Sequence, residues 1–341
     1  VTQAKGERNY HIFYMLLEGS SDELKAKYDL KSPSHYNYLN KSGCTSVVGL
    51  DEEKELKAVI ESMSLIDIND EERDSVFRIV NAVLLLGNVN IIANNSDEAH
   101  IDNPKVVKAV ADNLKVDAEK LSNDLLTRKN KIAKEYYVVP YTVSQAIDTR
   151  DALAKALYGS LFDWIVQKIN YTINDPRADL FISLLDIFGF ESFKHNFFEQ
   201  FCINYANETL QQHYNRHNFK WELEACASEG IDYEAIEFED NQSTLDLIGG
   251  KRMSILSLLD EECNFPKGSD ENFLQKIKNQ HSKHTAFNSP RISREQFGIE
   301  HYAEKVMYTV TKFLDKNKDA LKDSLVDMMR KSKDPMIQNL L

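Results

Sequence analysis

Phe181-Ile182-Ser183-Leu184-Leu185-Asp186-Ile187-Phe188-Gly189-Phe190-Glu191-Ser192-Phe193 is the stretch on which the reading of this chain turns. Its first five residues are almost wholly apolar, the pattern of a strand buried on both faces of a covered sheet. Asp186 to Glu191 would then sit at the carboxyl end of that strand, where open α/β sheets bind phosphate-bearing ligands. A carboxylate there can order the water shell of Mg²⁺, which prefers carboxylate and water oxygens. Gly189 has no side chain, so its backbone N–H can approach a terminal phosphate. Asp-x-x-Gly after a strand is also what an ordinary turn wants, and on these four positions alone the ordinary turn is the better reading.

Downstream, the stretch from His195 to Glu229 contains no Pro or Gly until Gly230. As one helix it would be ~50 Å long, more than a small domain needs. Upstream the periodicity is helical. Ile12, Phe13, Leu16 and Leu17 form a stripe ending at Gly19, read as a left-handed cap, and Asp51 can cap a helix whose Leu56, Val59, Ile60 and Met63 face one way. Val76, Ile79, Val80, Val83 and Leu84 repeat the pattern up to Gly87, Pro104 opens another helix, and Leu121 with Leu125 marks one more. Tyr136 to Val139 reads as a strand, and a Thr142–Gln145 capping box starts a helix that runs to about Ile173. Helices around Met253 to Glu262 and Asp270 to Lys278 flank the Pro266-Lys267-Gly268 turn. Short strands near Phe297 to Ile299 and Val306 to Val310 precede a helical end.

The composition excludes several classes of function. A net charge of -13, from 41 basic and 54 acidic residues, argues against a nucleic-acid or anionic-membrane surface. The richest apolar stretch, Ile79 to Ile92, is too short and too interrupted to span a bilayer. Four cysteines with no CxxC pair suit a reducing cytosol rather than a disulfide framework. The opening Val1 and the run into Gly6-Glu7-Arg8-Asn9-Tyr10 read like the interior of a longer polypeptide.

Extended through Asn196-Phe197-Phe198-Glu199-Gln200-Phe201-Cys202-Ile203-Asn204-Tyr205-Ala206-Asn207-Glu208, the opening stretch resembles the second nucleotide switch and relay helix of myosins. Gly6 to His11, Asp151 to Lys155, Asp240-Asn241-Gln242 and Leu256 to Cys263 are similar to family segments in the same order. The resemblance is weakest between Asn94 and Arg128 and near the C-terminus. It implies an α/β, predominantly helical chain, a fragment of a P-loop NTPase-type motor with one or a few central-sheet strands and a long relay helix. Residues 1–178 would form part of the upper actin-cleft lobe, 179–193 the strand and switch loop, 194–250 the relay helix and loop, and 251–341 the lower lobe.

What the resemblance implies for the site is specific. Asp186 would act on Mg²⁺ through bound water, Gly189 would bond the γ-phosphate of ATP, and Glu191 would pair with a first-switch arginine and help place the attacking water. No Gly-x-x-x-x-Gly-Lys-Ser/Thr occurs among the twelve glycines. The 341 residues alone are therefore expected to bind ATP weakly and not to turn it over. Glu135 matches a family position that must be acidic or phosphorylatable for actin-activated cycling. Phe265, Pro266, Lys267 and Gly268 match a turn that docks on the actin filament. The converter, lever arm and light chains would lie outside the chain, and the setting would be cytoplasmic and cytoskeletal.

Weaker signals have plainer readings. His213 and His217 share a helix face at a spacing that can place two imidazoles on one metal, but no third ligand is obvious and two polar-face histidines are the better reading. Phe188, Phe190, Phe193, Phe197, Phe198 and Phe201 read as a packed hinge beneath the loop rather than a ligand pocket. Ile255, Leu258 and Leu259 read as plain core, and Glu234 to Asp240 as a solvated loop. The competing function is a module that holds actin or a chaperone without turnover.

Overall fold

A computed structural model describes residues 1–341 except 1, 2, 4, 133, 134, 232–239, 266, 291, 292, 319 and 320; the side chains of 129–132, 135, 136 and 220 are also outside the description. The chain divides into two compact units, Val1–Asp179 with Ala320–Leu341, and Leu180–Asp319.

The first unit is built on helices α1 (His11–Gly19), α2 (Asp22–Tyr28), α3 (Glu52–Leu65), α4 (Asp70–Gly87), α5 (Pro104–Leu114), α6 (Ala118–Leu126) and α7 (Val143–Ile173). The start signals act as read. Asp51 accepts from the Lys54 N–H, and Thr142 with Gln145 closes both halves of a capping box on α7. Helix α4 is buried almost all round, with Val76, Ile79, Val80 and Leu84 in the centre of the core.

Gly19, read as a left-handed cap, is not one, and Gly87 ends α4 as the period indicates but without a left-handed turn. Gly19 is still helical and the chain leaves through an extended Ser20, while Asn88 beyond Gly87 is right-handed. A Cβ on Gly19 would lie 2.2 Å from the Glu52 carbonyl oxygen, and one on Gly87 would lie 2.7 Å from the Tyr38 ring. Both are glycine because a neighbour sits against the backbone, not because the chain must turn.

Two antiparallel hairpins complete the unit: β1 (Ile91–Ala93) with β2 (Ala99–Ile101), and β3 (Thr127–Ile132) with β4 (Glu135–Pro140). The returning segment carries short helices Asp323–Met329 and Pro335–Gln338. It is held to α4 and α5 by polar contacts. The Asp334 carboxylate, almost wholly buried, accepts from Ser75 Oγ at 2.9 Å and from Arg78 Nη2, and Lys115 Nζ stands 3.3 Å away. Ser332 Oγ donates to the Leu114 carbonyl at 2.7 Å. Segment 251–341 thus divides, its last stretch packing with the first 179 residues, where Ser75, Arg78, Lys115 and the Leu114 carbonyl pair with it.

The second unit carries α8 (Phe198–Asn215), a π-helical turn at Arg216–Trp221, α9 (Glu222–Ser228), α10 (Gln242–Gly249), α11 (Ile255–Asn264), α12 (Asp270–His281) and α13 (Phe313–Asn317). Its sheet is β5 (Phe287–Asn288), β6 (Gln296–Glu300) and β7 (Lys305–Thr309), all antiparallel. Phe201, Phe297, Tyr308 and Phe313 meet edge to face in its core, Phe273 stacks on Phe313, and Ile255, Leu258 and Leu259 are core as expected. The long helix is present as Phe198 to Ser228, one turn of it widened to the π form.

The strand expected at Phe181 to Leu185 is not formed. The segment has no paired neighbour among the described residues, and Ile182 and Leu184 are 96% and 95% exposed. A strand exists only through the ladder of a partner, and each of the three small sheets found the partner nearest in sequence. Predominantly helical is therefore the observed class, and the sheets are small and antiparallel apart from one parallel bridge between Asn196 and Tyr308. Among the described residues no helix is long and apolar enough to cross a membrane.

Candidate functional site

The loop 186–193 is laced to α8 by side-chain amides. Asn207 Nδ2 donates to the Phe188 carbonyl at 3.0 Å. Asn204 grips both sides of Glu191, accepting from its N–H at 2.8 Å and donating to its carbonyl at 2.7 Å. Gln200 Nε2 reaches the Glu191 carboxylate at 3.3 Å. Asn196 does for Phe193 what Asn204 does for Glu191, at 2.8 and 2.9 Å, and also donates to the Met307 carbonyl at 3.1 Å. A loop with no strand of its own is thereby held in shape by one helix and one sheet edge.

Behind this lacing lies a buried polar chain. Asn204 Nδ2 donates to the Tyr308 hydroxyl at 2.8 Å. That hydroxyl lies 2.8 Å from His301 Nε2, and His301 Nδ1 lies 2.8 Å from the Glu208 carboxylate. The only arrangement using every proton has Asn204 donating to Tyr308, Tyr308 donating to Nε2, and Nδ1–H donating to Glu208. Burial pushes the Tyr308 hydroxyl well above its ordinary value, outweighing the Asn204 bond, so it keeps the proton it donates. Glu208 also receives the Tyr302 N–H at 3.2 Å, and its backbone carbonyl accepts from Asn241 at 2.9 Å. The Phe190 ring stands edge-on to His301 and Tyr302 at 5.4 and 5.7 Å. Phe190 and Glu191 thus touch α8 and the turn between β6 and β7, and reach β7 through Asn204 and Tyr308.

Asn204, Glu208 and Gln212, buried at i, i+4 and i+8, continue the line begun by Gln200. Sequence reasoning missed this stripe. The signal that could have exposed it is four polar residues on the line where a helix that long should be apolar.

The expected site residues fall out as follows. Asp186 and Gly189 are both exposed, and a Cβ on Gly189 would meet nothing within 4 Å. The loop thus carries an exposed carboxylate at Asp186, open space beside the Gly189 backbone, and a carboxylate at Glu191 that accepts from Gln200. A carboxylate is the kind of group that holds Mg²⁺ directly or through water, and a backbone N–H the kind that bonds a phosphate oxygen. Among the described residues no group of three or more His, Cys, Asp or Glu could hold a metal ion directly. His213 and His217 lie parallel with ring centroids 6.5 Å apart, both exposed.

Of the six aromatics read as a hinge, only Phe201 is fully buried; Phe188 and Phe193 are exposed at 72% and 59%. Residue 266 lies outside the described residues. Around it, Phe265 and Lys267 are exposed, Lys276 Nζ sits 4.4 Å over the Phe265 ring, and a Cβ on Gly268 would lie 2.1 Å from the Glu262 carbonyl. Glu135 pairs with Ile132 in the β3–β4 ladder, and its side chain is outside the description. Of the acidic loop only Asp240 is described, where it accepts from Gln212 at 2.8 Å.

The Asn204 contacts give a direct test. Asn204→Ala is expected to destabilise the second unit by about 2 kcal/mol, because it leaves the Glu191 N–H and carbonyl and part of the Tyr308 hydroxyl unsatisfied. Hydrogen exchange at β6 and β7 amides in the 341-residue chain should rise accordingly; unchanged protection there would show that the lacing carries no weight.

A family model described as Myosin head (motor domain) matches residues 1–341. The chain is 44% identical over 99% of its length to Myosin-I heavy chain of Dictyostelium discoideum, covering 15% of that protein. It is 42% identical over 95% of its length to Myosin-3 of Arabidopsis thaliana, covering 28%. It is 40% identical over 100% of its length to Myosin-52 of Schizosaccharomyces pombe, covering 23%. The chain therefore spans under a third of the length of these curated relatives.

Proposed function

Because the chain belongs to the myosin head (motor domain) family, we propose that it supplies the central portion of an actin-activated ATPase that moves along actin filaments. The observation that carries this is the lacing of loop 186–193 to α8 by Asn204, Asn207 and Gln200. A loop that bonds a terminal phosphate and is stitched to a long helix reports the phosphate at the far end of that helix. In this reading the hydrolysis is phosphoryl transfer to water, driven by positioning and charge rather than by a covalent nucleophile.

The magnitudes require the three site residues to act together. A hydrogen bond from the Gly189 N–H to a charged phosphate is worth roughly 1.5–3 kcal/mol. Moving a two-state element from about 1:99 to 99:1 needs roughly 5.5 kcal/mol. Gly189 alone is insufficient, so Asp186 toward the Mg²⁺ water shell and Glu191 toward a first-switch arginine must share the task. ATP and Mg²⁺ are the cofactors of this reading. Asp186 and Gly189 would face them from this chain, and a phosphate cradle elsewhere in the motor would supply the grip.

The same reading makes Phe265, Pro266, Lys267, Gly268 and the Glu135 hairpin the actin-facing residues, with Glu135 already supplying the acidic group. Converter, lever arm and light chains are the other partners, the setting is cytoplasmic and cytoskeletal, and the 341 residues alone do not turn over ATP.

The test is the longer polypeptide that carries this stretch. Its upstream reading frame is expected to encode Gly-x-x-x-x-Gly-Lys-Ser/Thr, and the purified motor to hydrolyse ATP faster when actin filaments are added. Actin binding with no actin-stimulated hydrolysis would instead support the module without turnover.

A further inference from the structure

The β3–β4 hairpin rises from the end of α6, and its base is fastened by a residue far away in sequence. Lys322, on the segment that returns to the first unit, directs Nζ onto the Asp124 carbonyl at 2.9 Å and the Thr127 carbonyl at 2.9 Å. The same nitrogen lies 3.8 Å over the centre of the Tyr141 ring. Asp124 belongs to the last turn of α6, whose carbonyls have no partner within the helix. Thr127 begins β3, and Tyr141 follows β4 directly and closes the base by donating its N–H to the Leu126 carbonyl at 2.8 Å.

We propose that Lys322 is a positioning residue for the β3–β4 hairpin, a clamp that caps α6 and holds both ends of the hairpin base against the returning segment. Its functional meaning rests on the actin-facing reading of that hairpin. A clamp here couples the pose of the hairpin to whatever tension reaches the returning segment.

The charges facing the clamp predict how it responds to pH. Among the described residues they are the Asp124 carboxylate, itself paired with Lys120 on α6, Arg128 on β3 and the Tyr141 hydroxyl. Burial first, with Arg128 adding to it and Asp124 opposing, holds the Lys322 ammonium down to about 8. A lysine released to water keeps its proton to about 10.4. Between those values the clamped state binds fewer protons than the released one, so rising pH favours the clamp. The neutral amine still has two N–H groups for the two carbonyls. Burial also pushes Tyr141 above its ordinary value, which keeps it out of this window.

Hydrogen exchange of hairpin amides in the 341-residue chain, normalised for intrinsic exchange, tests the proposal. From about pH 7.5 to about pH 9 the protection is expected to rise roughly five- to tenfold. In Lys322→Met it should fall and lose this profile, while amides of α4 stay protected. Lys322→Arg should restore part of the protection without the profile, since guanidinium does not titrate there. Lys322→Met with wild-type protection overturns the clamp, and Lys322→Gln decides in its place if that variant does not fold. Actin co-sedimentation of the same samples separates the two ideas. A chain that shows the profile but never pellets with actin counts against the actin-facing reading and leaves the clamp standing.

Discussion

Alanine at position 189 is expected to leave the fold as it is and to lower ATP turnover by the whole motor about a hundredfold or more, with or without actin. The first half follows from space: an added methyl at Gly189 meets nothing within 4 Å, and its φ lies outside the left-handed region. Thermal unfolding of Gly189→Ala should therefore match the wild type. The second half follows from the role proposed for the loop. A methyl standing between a backbone N–H and a phosphate oxygen removes one preorganised donor, and losing one such donor typically costs about 10²–10³ in rate. Steady-state ATPase measurements on the motor decide it. Unchanged turnover in Gly189→Ala would remove the phosphate-sensing reading of the loop, whatever else the family membership implies.

The largest structural effect is expected at Arg78. This side chain is held among Asp74 at 2.8 Å, the Asn113 carbonyl at 3.0 Å, Ser75 at 2.9 Å and Asp334. Removing one partner of a buried ion pair leaves the other charge uncompensated, which costs about 3–5 kcal/mol. Arg78→Met should destabilise the first unit by that amount, and adding Asp334→Leu should not recover it, because the Asp334 carboxylate also accepts from the Met336 and Ile337 N–H groups and from Ser75. The two tryptophans fall one in each unit, so urea unfolding followed through Trp164 in a Trp221→Phe background reads the first unit alone.

Acid supplies a second reading of the same pair. Burial alone would raise the Asp334 carboxyl, but the Arg78 and Ser75 hydrogen bonds outweigh it and hold it at about 2. A carboxyl depressed in the folded state stabilises fully above its unfolded value, about 3.9, and that contribution disappears as pH falls toward about 2. The acid sensitivity of the first unit in this window should shrink in Arg78→Met. A melt in which Arg78→Met matched the wild type in both stability and acid sensitivity would show that the returning segment is held by apolar packing alone.

Much of the helical framework was legible because its determinants are local. The Thr142–Gln145 box, the Asp51 cap and the apolar period through α4 act over three or four residues, and each element stands where its signals put it. Gly19 was misread as a left-handed cap because what a glycine makes room for, here the Glu52 carbonyl, lies elsewhere in the chain, as the Tyr38 ring does for Gly87. The apolar run before Asp186 was read as a buried strand from its own composition, but a strand is defined by its neighbour. The lacing stripe on α8 was illegible for a similar reason: Asn204 meets Tyr308 104 positions away and Glu208 meets His301 93 positions away. No window of local sequence contains both halves of such a bond.

The open run from Leu180 to Leu185 has a practical outcome for anyone handling the chain. Its apolar side chains stand in water on a stretch with no ladder partner among the described residues, so it behaves as an adhesive tape with no backing sheet. The first surface a tape meets in a concentrated sample is the same tape on another molecule, and two such segments can satisfy each other as strands. Colloidal behaviour of the 341 residues, more than their intrinsic unfolding, would then set how far they can be concentrated.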